Sequence, residues 1–332
     1  MEDEYPIKVN DFDKNIWRRL ILIYKGIASH VYKIQNIKNG TTAVLKTYSK
    51  SDYTDNKFKR YNMYFYTEIE CNKIMIKTKY SVPLWYYYES DKEWGMITKY
   101  MSQLTLRNYM HFFPFSDVII SKVVYPLLNA IYKMHLKGII HRDLKPDNIF
   151  INNDKIYIGD FGYSYILKNP TDKARGIVGT IQYMAPEMLH SYTSDNINYK
   201  YGKEVDIWAI GIIVYELFFY EKPFGWNKYT KNENDLKDFI INCISTDLTF
   251  PFTIPDDAKD FIEKCLFIEP EKRPTVEELL QHEWVLNYLK RKDDINEKCP
   301  QWSFSILALT AQVQAKNIIK KKKKRIHNCM IF

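Results

Sequence analysis

The sequence predicts an α+β protein in which a small β-rich N-terminal part precedes a larger helical part. Apolar and polar residues alternate from Ile16 to Leu45, with glycines between the alternating runs, which is typical of successive antiparallel strands. From Ser102 onward apolar residues recur at helical spacing, most clearly between Val118 and Leu136. The longest apolar stretch, Ile207 to Tyr220, carries Glu216 and is shorter than the ~20 residues that a bilayer span needs, so it predicts a buried core helix.

The elements between these two parts follow the same periodicities. The segment Lys59 to Ile76 has a helical period, and strands are predicted over Leu84 to Tyr88 and Trp94 to Lys99. Glu68 falls on the same helical face as Phe65, and an acid within an apolar face needs a partner.

Two signals mark boundaries in the helical part. Asp206 precedes Ile207-Trp208 and is predicted to cap the N-terminus of the long apolar helix. The stretch Pro255 to Leu289 predicts two amphipathic helices around Glu269 to Pro274, whose prolines indicate a turn.

Composition and charge narrow the class of protein. The chain has 332 residues, 46% hydrophobic and 27% charged, which fits one large or two modest globular domains. Its net charge is +8, but Lys320 to Arg325 supply six cations, so no nucleic-acid-binding face is predicted. The five cysteines form no CxxC pair, and the acidic start Met1 to Glu4 has no apolar run, so a reducing, cytoplasmic compartment is expected.

One ordered set of short motifs carries the chemistry. Residues 141–148 read HRDLKPDN, and DFG follows at Asp160 to Gly162. The set places an acid, a cation, an amide and a second acid within about twenty residues, and these groups are needed to align a hydroxyl with a metal-bound phosphate. An ordinary polar loop between a helix and a strand predicts no such order.

With these motifs the sequence resembles the eukaryotic protein kinase family over roughly residues 14 to 290. Further matches follow in the family's order: AVLK at 43–46, GT at 179–180, APE at 185–187, DIWAIG at 206–211 and KRP at 272–274. The resemblance implies a two-lobed protein kinase fold, with a small β-rich N-lobe over 14–101 and a larger helical C-lobe over 102–290. An N-terminal extension, 1–13, and a C-terminal tail, 291–332, flank the lobes.

The resemblance implies roles around the phosphates of ATP, with magnesium as the second cofactor. Asp143 would orient the substrate hydroxyl and accept its proton, and Lys145 would stabilise the γ-phosphate. Asn148 and Asp160 would hold magnesium. Lys46 would bind the α- and β-phosphates.

A glutamate in the helix over 59–76 would position Lys46, and there are two candidates. Glu68 lies on the inward apolar face and is preferred. Glu70 as the partner would turn Lys73 and Lys77 towards the core, but the helix phase read from one sequence leaves this choice open.

The phosphate-binding loop departs from the family pattern G-x-G-x-x-G-x-V. With Val31 at the valine position, Tyr24, Gly26 and Ser29 fall at the three glycine positions. Gly26 is the position at which the backbone approaches the phosphates, so nucleotide binding is still expected.

Around the adenine the resemblance implies a tight slot. Val44 stands where alanine usually covers the base, and Phe150 stands on the floor where leucine is common. Thr98 falls at the gatekeeper position, and Lys99 to Met101 form the hinge whose backbone would hydrogen-bond adenine.

Lys145, together with Gly179-Thr180, resembles serine/threonine kinases, of a calcium/calmodulin-kinase-like kind without a calcium module. Asp147 and Glu216 occupy positions that in some kinases contact substrate arginines, and two ordinary surface acids are the alternative. We therefore expect protein substrates with Ser or Thr acceptors, including basic ones, and a monomeric enzyme.

The activation segment between DFG and APE lacks the usual phosphorylation site, since Gly176 stands three residues before the Gly-Thr pair. Thr171 is the nearest upstream hydroxyl, and Arg142 could pair with a phosphate on it. We expect that activity does not require phosphorylation here and that Thr180 contacts Asp143.

The tail combines a polybasic run with a C-terminal cysteine. Lys320 to Arg325 precede Cys329-Met330-Ile331-Phe332, which fits the C-a-a-X pattern with Phe favouring geranylgeranyl. One lipid chain binds only marginally, but a polybasic stretch adds about 1 kcal/mol per cation near an anionic leaflet. We therefore predict prenylation of Cys329 and attachment to the cytosolic face of a membrane, with a chance cysteine beside a solvated or nuclear-import lysine run as the alternative.

Two other classes of function fit parts of the sequence. Tyr24 and Ser29 favour a nucleotide-binding pseudokinase or scaffold, whereas retention of Lys46 and of the HRD and DFG acids argues against it. A small-molecule phosphotransferase is disfavoured by the APE segment, which resembles machinery that shapes a peptide-docking surface, with Glu187 and Arg273 expected as a buried ion pair.

Overall fold

The fold comes from a computed structural model. It describes residues 7–9, 12–26, 29–50, 55–101, 104–112, 119–152, 155–193, 199–225 and 247–289.

The N-lobe is built on a six-stranded sheet in the order β1-β5-β6-β4-β3-β2. The strands are β1 (Ile7–Val9), β2 (Trp17–Lys25), β3 (His30–Asn36), β4 (Thr42–Ser49), β5 (Leu84–Glu89) and β6 (Glu93–Lys99). β1 runs parallel to β5, and all other pairs in this sheet are antiparallel. The strands predicted from the sequence are confirmed, with small shifts at their ends.

The register of this sheet places the predicted nucleotide-binding residues on one face. Val31 pairs with Lys46, and Lys46 pairs with Met96. Because paired residues share a face and alternate residues return to it, Val44 and Thr98 lie on the same face as Lys46. The opposite face buries a small apolar cluster of Trp17, Ile34, Ala43, Leu45, Tyr88 and Ile97.

Helix α1 (Asp55–Met75) lies against the sheet and begins before the predicted Lys59. Phe65 and Ile69 are buried in a cluster with residues of β4, β5 and β6. Glu68 is only 5% exposed, so the acid on the apolar face does point inward.

The C-lobe is mainly helical. Its helices are α2 (Leu106–Phe112), α3 (Tyr125–Leu136), α4 (Pro186–Thr193), α5 (Glu204–Phe219), α6 (Asp256–Cys265) and α7 (Val276–Leu280). Its short strands are β7 (Leu104–Thr105), β8 (Ile139–Ile140), β9 (Ile149–Asn152), β10 (Lys155–Ile158), β11 (Tyr165–Ile166), β12 (Ala174–Arg175) and β13 (Lys200–Tyr201). The HRDLKPDN loop lies between β8 and β9, and DFG follows β10.

The predicted core helix is confirmed, since α5 is buried from Val205 to Phe219. Its start differs from the prediction, because α5 begins at Glu204 and Asp206 lies inside its first turn. Asp206 is therefore not the N-cap, and its carboxylate has other partners. Within the described ranges, no helix has the length and apolar character needed to cross a membrane.

Two further predicted helices differ in detail. A π-helical turn, Ile120–Val124, precedes α3, so the described part of the predicted helix, 119–136, is not one regular helix. The region from Pro255 to Leu289 contains three α-helices rather than two, because α7 is followed by a further helix over 283–289, and a 3₁₀ turn, Pro270–Lys272, lies between α6 and α7. The break falls at His282, whose ring bonds to Asp260 of α6 at 2.9 Å.

Candidate active site

Lys46 on β4 connects two carboxylates across the cleft between the lobes. Its Nζ donates to Glu68 Oε2 at 2.9 Å and to Asp160 Oδ1 at 2.6 Å. Glu70 instead pairs with Lys73 at 2.8 Å, and its side chain is 53% exposed. The structure thus pairs Lys46 with Glu68 and not with Glu70.

Burial and the Lys46 ammonium act in opposite directions on the two acids. Burial raises the pKa of Glu68 although Lys46 lowers it. For Asp160, whose side chain is 45% exposed, partial desolvation raises the pKa, but the attraction of Lys46 outweighs it and the net pKa is lowered. Burial lowers the pKa of Lys46, but the nearby carboxylates of Asp160 and Glu68 outweigh this effect and raise the pKa well above its ordinary value. Lys46 and Asp160 therefore form the charged pair that faces the cleft.

Asp143 is 3% exposed and is held by three side chains. Thr180 Oγ1 donates to its Oδ1 at 2.7 Å, as predicted for this threonine. Lys145 Nζ and Asn148 Nδ2 donate to its Oδ2 at 2.9 and 3.1 Å. The carboxylate is therefore fixed in one orientation, and a hydroxyl already donates to one of its oxygens.

Asp206 holds the backbone of the HRD segment. Its Oδ2 accepts from His135 Nε2 and from the backbone N–H of His141, both at 2.9 Å, and its Oδ1 accepts from the backbone N–H of Arg142 at 3.0 Å. Arg142 has a φ of 66°, a left-handed conformation that costs energy for a non-glycine residue, and these bonds hold it there. Burial raises the pKa of Asp206, but the hydrogen bond from His135 outweighs this effect, so the pKa is lowered.

Gly179 brings the end of the activation segment close to this backbone. Its φ is +104°, and a Cβ at this position would lie 2.3 Å from the carbonyl oxygen of Arg142. A side chain has no room here, so the glycine lets Thr180 reach Asp143.

The phosphate-binding loop at the end of β2 is described at both of its ends, and residues 27 and 28 lie outside the described residues. The Gly26 N–H donates to the carbonyl of Ser29 at 2.9 Å. A Cβ on Gly26 would lie 2.8 Å from the ring of Tyr24, so the tyrosine covers this glycine. Tyr24 itself is 59% exposed.

The residues predicted around adenine come from both lobes. Val44 and Thr98 pair directly across β4 and β6, and both are half-buried. Phe150 on β9 is also half-buried, and Met101 is buried one residue beyond Tyr100. Lys99 ends β6 at the start of this connection.

Asn148 and Asp160 fit a magnesium ion by the chemistry of their remaining atoms. Asn148 uses its Nδ2 for Asp143, and Asp160 uses its Oδ1 for Lys46, so one amide oxygen and one carboxylate oxygen remain. Magnesium takes oxygen ligands, commonly one or two carboxylates with phosphate oxygens and water. In the part of the chain that the structure describes, no cluster of three or more His, Cys, Asp or Glu could hold a metal by itself.

Comparison with known proteins decides the family. The protein kinase domain matches residues 18–285, which is most of the chain. This chain belongs to the protein kinase family. The kinase is 30% identical over 271 residues to an Aurora kinase of Saccharomyces cerevisiae, covering 79% of this chain and 67% of that one. It is 28% identical over 266 residues to an Aurora kinase of Schizosaccharomyces pombe, covering 80% and 70%.

A calcium/calmodulin-dependent protein kinase of Emericella nidulans is 34% identical over 179 residues, covering 52% of this chain and 40% of that one. The predicted two-lobed fold and serine/threonine protein kinase class are confirmed. The Aurora similarity was not predicted, because the motifs read from the sequence are those that many kinases share.

In the kinase, Arg107 of α2 donates hydrogen bonds to both of the acids that were considered for substrate contact, Asp147 and Glu216. Its Nη1 donates to Glu216 Oε1 at 2.6 Å, and its Nε donates to Asp147 Oδ2 at 3.3 Å. Glu216 also accepts from Tyr183 and Lys222 and is 3% exposed. Burial raises the pKa of Glu216, but Arg107 outweighs it and lowers the pKa. The surface-acid alternative is wrong for Glu216, and Arg107 was missed because an isolated arginine carries no motif.

Glu187 and Arg273 form the predicted buried ion pair. Arg273 Nη1 and Nη2 donate to the two carboxylate oxygens at 2.6 and 2.8 Å, and the side chains are 0% and 2% exposed. Arg273 also donates to the carbonyls of Phe267, Ile268 and Glu204. The pair joins the APE segment to the loop before α7.

The predictions for the tail fall on residues that the structure does not describe. These are Lys320 to Arg325 and Cys329. Within the described ranges, Cys71 and Cys265 are buried free thiols.

Proposed function

We propose that this kinase transfers the γ-phosphoryl group of magnesium-bound ATP to serine or threonine hydroxyls of protein substrates at Asp143. The observation that carries the proposal is the hydrogen bond from the Thr180 hydroxyl to Asp143 Oδ1. It supports a buried carboxylate that Lys145 and Asn148 orient and that can accept a hydroxyl hydrogen in the cleft.

The reaction breaks one bond at phosphorus and forms another. The substrate oxygen bonds to the γ-phosphorus while the bond to the β–γ bridging oxygen breaks, so ADP leaves. The hydroxyl proton passes to the Asp143 carboxylate. Lys145, 2.9 Å from that carboxylate, offsets the negative charge on the transferred group.

The N-lobe side orients the nucleotide. Lys46, held by Glu68, binds the α- and β-phosphates, and Gly26 lets the loop backbone approach them. Asn148 and Asp160 would hold magnesium, which would supply positive charge to offset that of the phosphates. Val31, Val44 and Phe150 enclose the adenine, next to Thr98 and the backbone from Lys99 to Met101.

A phosphotransfer assay tests the proposal. Wild type and Asp143→Ala are incubated with labelled ATP, magnesium and a mixed serine/threonine peptide library, and incorporated phosphate is counted. We expect wild type to label the peptides and the variant to fall to background. Equal labelling by both proteins would contradict the assignment of Asp143.

The second candidate is a nucleotide-binding pseudokinase or scaffold. The observation that favours it is the Tyr24 ring lying over Gly26, where the loop backbone has to approach the phosphates. A rise in the unfolding temperature with ATP, without any phosphate transfer by wild type, would support this candidate over the enzyme.

We propose further that the tail brings the kinase to the cytosolic face of an anionic membrane. Support comes from Lys320 to Arg325 beside Cys329, a lipid-acceptor pattern next to a cationic run. The test compares membrane partition of wild type, Cys329→Ser and the matched control Cys299→Ser in cells. We expect only Cys329→Ser to become soluble, and unchanged partition of that variant would remove the proposal.

A further inference from the structure

The guanidinium of Arg142 ties the activation segment to the catalytic loop through neutral oxygens. Its Nε donates to the carbonyl of Tyr163 at 2.5 Å, its Nη2 to that of Ser164 at 3.3 Å and its Nη1 to that of Arg175 at 2.9 Å. Arg142 is 8% exposed, so water contributes little to its solvation. One side chain therefore holds both the beginning of the segment and its later part.

Tyr201 on β13 completes this arrangement. Arg142 Nη1 donates to the Tyr201 hydroxyl at 3.2 Å, and that hydroxyl donates to the carbonyl of Gly176. Tyr201 is 2% exposed, and burial raises its pKa, which keeps the phenol protonated and able to donate. The tyrosine thus accepts from the catalytic loop and donates to the segment at once.

The surrounding contacts hold the same stretch of chain. β12 pairs with β13 through Ala174 with Tyr201 and Arg175 with Lys200. Lys173 pairs with Glu204 of α5 at 3.0 Å. The segment around Gly176 is therefore anchored by a strand pair, an ion pair and the Tyr201 hydroxyl.

Arg142 has little capacity left for a phosphate. A guanidinium has five N–H donors, and four of the bonds described above originate from it. A phosphate on Thr171 would have to displace carbonyl acceptors that are already in place. The residue three before the Gly-Thr pair is Gly176, which has no hydroxyl to phosphorylate.

We infer that Tyr201 is a positioning residue that holds the activation segment in its active path, so that activity does not depend on phosphorylation of this segment. The inference rests on the phosphotransferase activity proposed above. It assigns to a buried tyrosine hydroxyl a second connection between Arg142 and the segment, beside the direct bond to the Arg175 carbonyl.

The test uses the full chain treated with a phosphatase and shown by intact mass to carry no phosphate. We expect this protein to keep at least half of its kcat, and Thr171→Ala to do the same. Tyr201→Phe should lose about tenfold in kcat, the size expected for one hydrogen bond to a charged group, with the KM for ATP unchanged. The matched control is Tyr165→Phe, which removes a hydroxyl of the same segment that bonds to Asp172 and should change kcat less than twofold.

Limited trypsin digestion gives a readout that does not depend on activity. Lys173 and Arg175 are trypsin sites within the anchored stretch. Tyr201→Phe should be cut there several times faster than wild type and Tyr165→Phe, at an unchanged unfolding midpoint. Equal cleavage of all three proteins, or loss of most activity on phosphatase treatment with recovery on rephosphorylation, would overturn the inference. Complete inactivity of every phosphorylated and unphosphorylated form would instead refute the proposed function.

Discussion

On the C-lobe side of the cleft, Asp143, Asp206 and Arg142 are all under 10% exposed and each has several hydrogen-bond partners. On the N-lobe side, β2 is exposed in eight of its nine residues and ends in a loop with a single glycine of the usual three positions. The catalytic carboxylate and the two residues that position its loop are therefore each held by several contacts. The loop over the phosphates works through its backbone, which constrains its side chains far less.

Asp143→Asn should produce the largest effect on activity. The amide keeps the shape of the side chain but cannot accept the substrate proton, so we expect kcat to fall by about 10²–10⁴-fold. The KM for ATP should stay close to that of wild type, since Asp143 does not face the adenine. Steady-state peptide phosphorylation measures both constants, and a kcat within threefold of wild type would contradict the assigned role.

Glu187→Gln should produce the largest effect on stability. It leaves the Arg273 charge buried without its partner, which costs about 3–5 kcal/mol in proteins. The measurement is the free energy of unfolding from denaturant titration. The control is Glu269→Gln, which removes an exposed pair with Lys272 and should leave the unfolding midpoint unchanged.

Glu68→Gln should weaken the positioning of Lys46 for the phosphates without abolishing activity. Loss of the carboxylate that accepts from the Lys46 ammonium corresponds to about 1.5–3 kcal/mol, so kcat/KM for ATP should fall by roughly 10- to 100-fold. The same change two residues on, Glu70→Gln, touches only the exposed pair with Lys73 and should leave kcat/KM unchanged. Equal losses in both variants would show that the ion pair in the cleft is not what matters.

The two sides of the cleft should also differ in the sign of their pH dependence. Because the pKa of Asp206 is lowered in the folded protein, its carboxylate stabilises the fold at pH values above its ordinary pKa of 3.8. This stabilisation is lost as the pH falls through the lower pKa of the folded state. The raised pKa of Glu68 has the opposite effect. Its contribution to the free energy of unfolding is present at pH values below its ordinary pKa of 4.5 and is lost as the pH rises through the higher pKa of the folded state. The measurement is the free energy of unfolding of wild type, Asp206→Asn and Glu68→Gln between pH 3 and 7. The advantage of wild type over Asp206→Asn should grow as pH rises, and its advantage over Glu68→Gln should shrink.

Tyr24→Gly should have the smallest effect. Removing the ring that covers Gly26 frees the loop backbone, but a glycine inside β2 costs roughly 0.5–1 kcal/mol of strand stability. Because the two effects oppose each other, kcat/KM for ATP should change by less than about fivefold. A tenfold loss in the same assay would show instead that the Tyr24 ring itself contributes to nucleotide binding.

The sequence predicted the parts of the site that depend on short-range patterns. Strand alternation placed β3 and β4, and the 15-residue spacing of Val31 and Lys46 matches their direct pairing. The helical face favoured Glu68 over Glu70, and the bond from Lys46 to Glu68 decided between them. Contacts to distant residues could not be predicted, because Asp206 bonds to residues 64 to 71 positions away. The partners of Arg142 were equally hidden, since backbone carbonyls leave no signature in a sequence.

The register of β3, β4 and β6 sets a limit on which changes in chain length the kinase tolerates. Val31, Lys46 and Met96 lie in one row across the three strands. Because side chains alternate between faces, inserting or deleting one residue within β4 ahead of Lys46 would turn its ammonium to the far side of the sheet and bring a core leucine into the cleft. A two-residue change would restore the face but move the ammonium by about 7 Å along the strand, away from Glu68. The turn at 38–40 has no such constraint, so natural length variation in this lobe should collect there rather than in the strands.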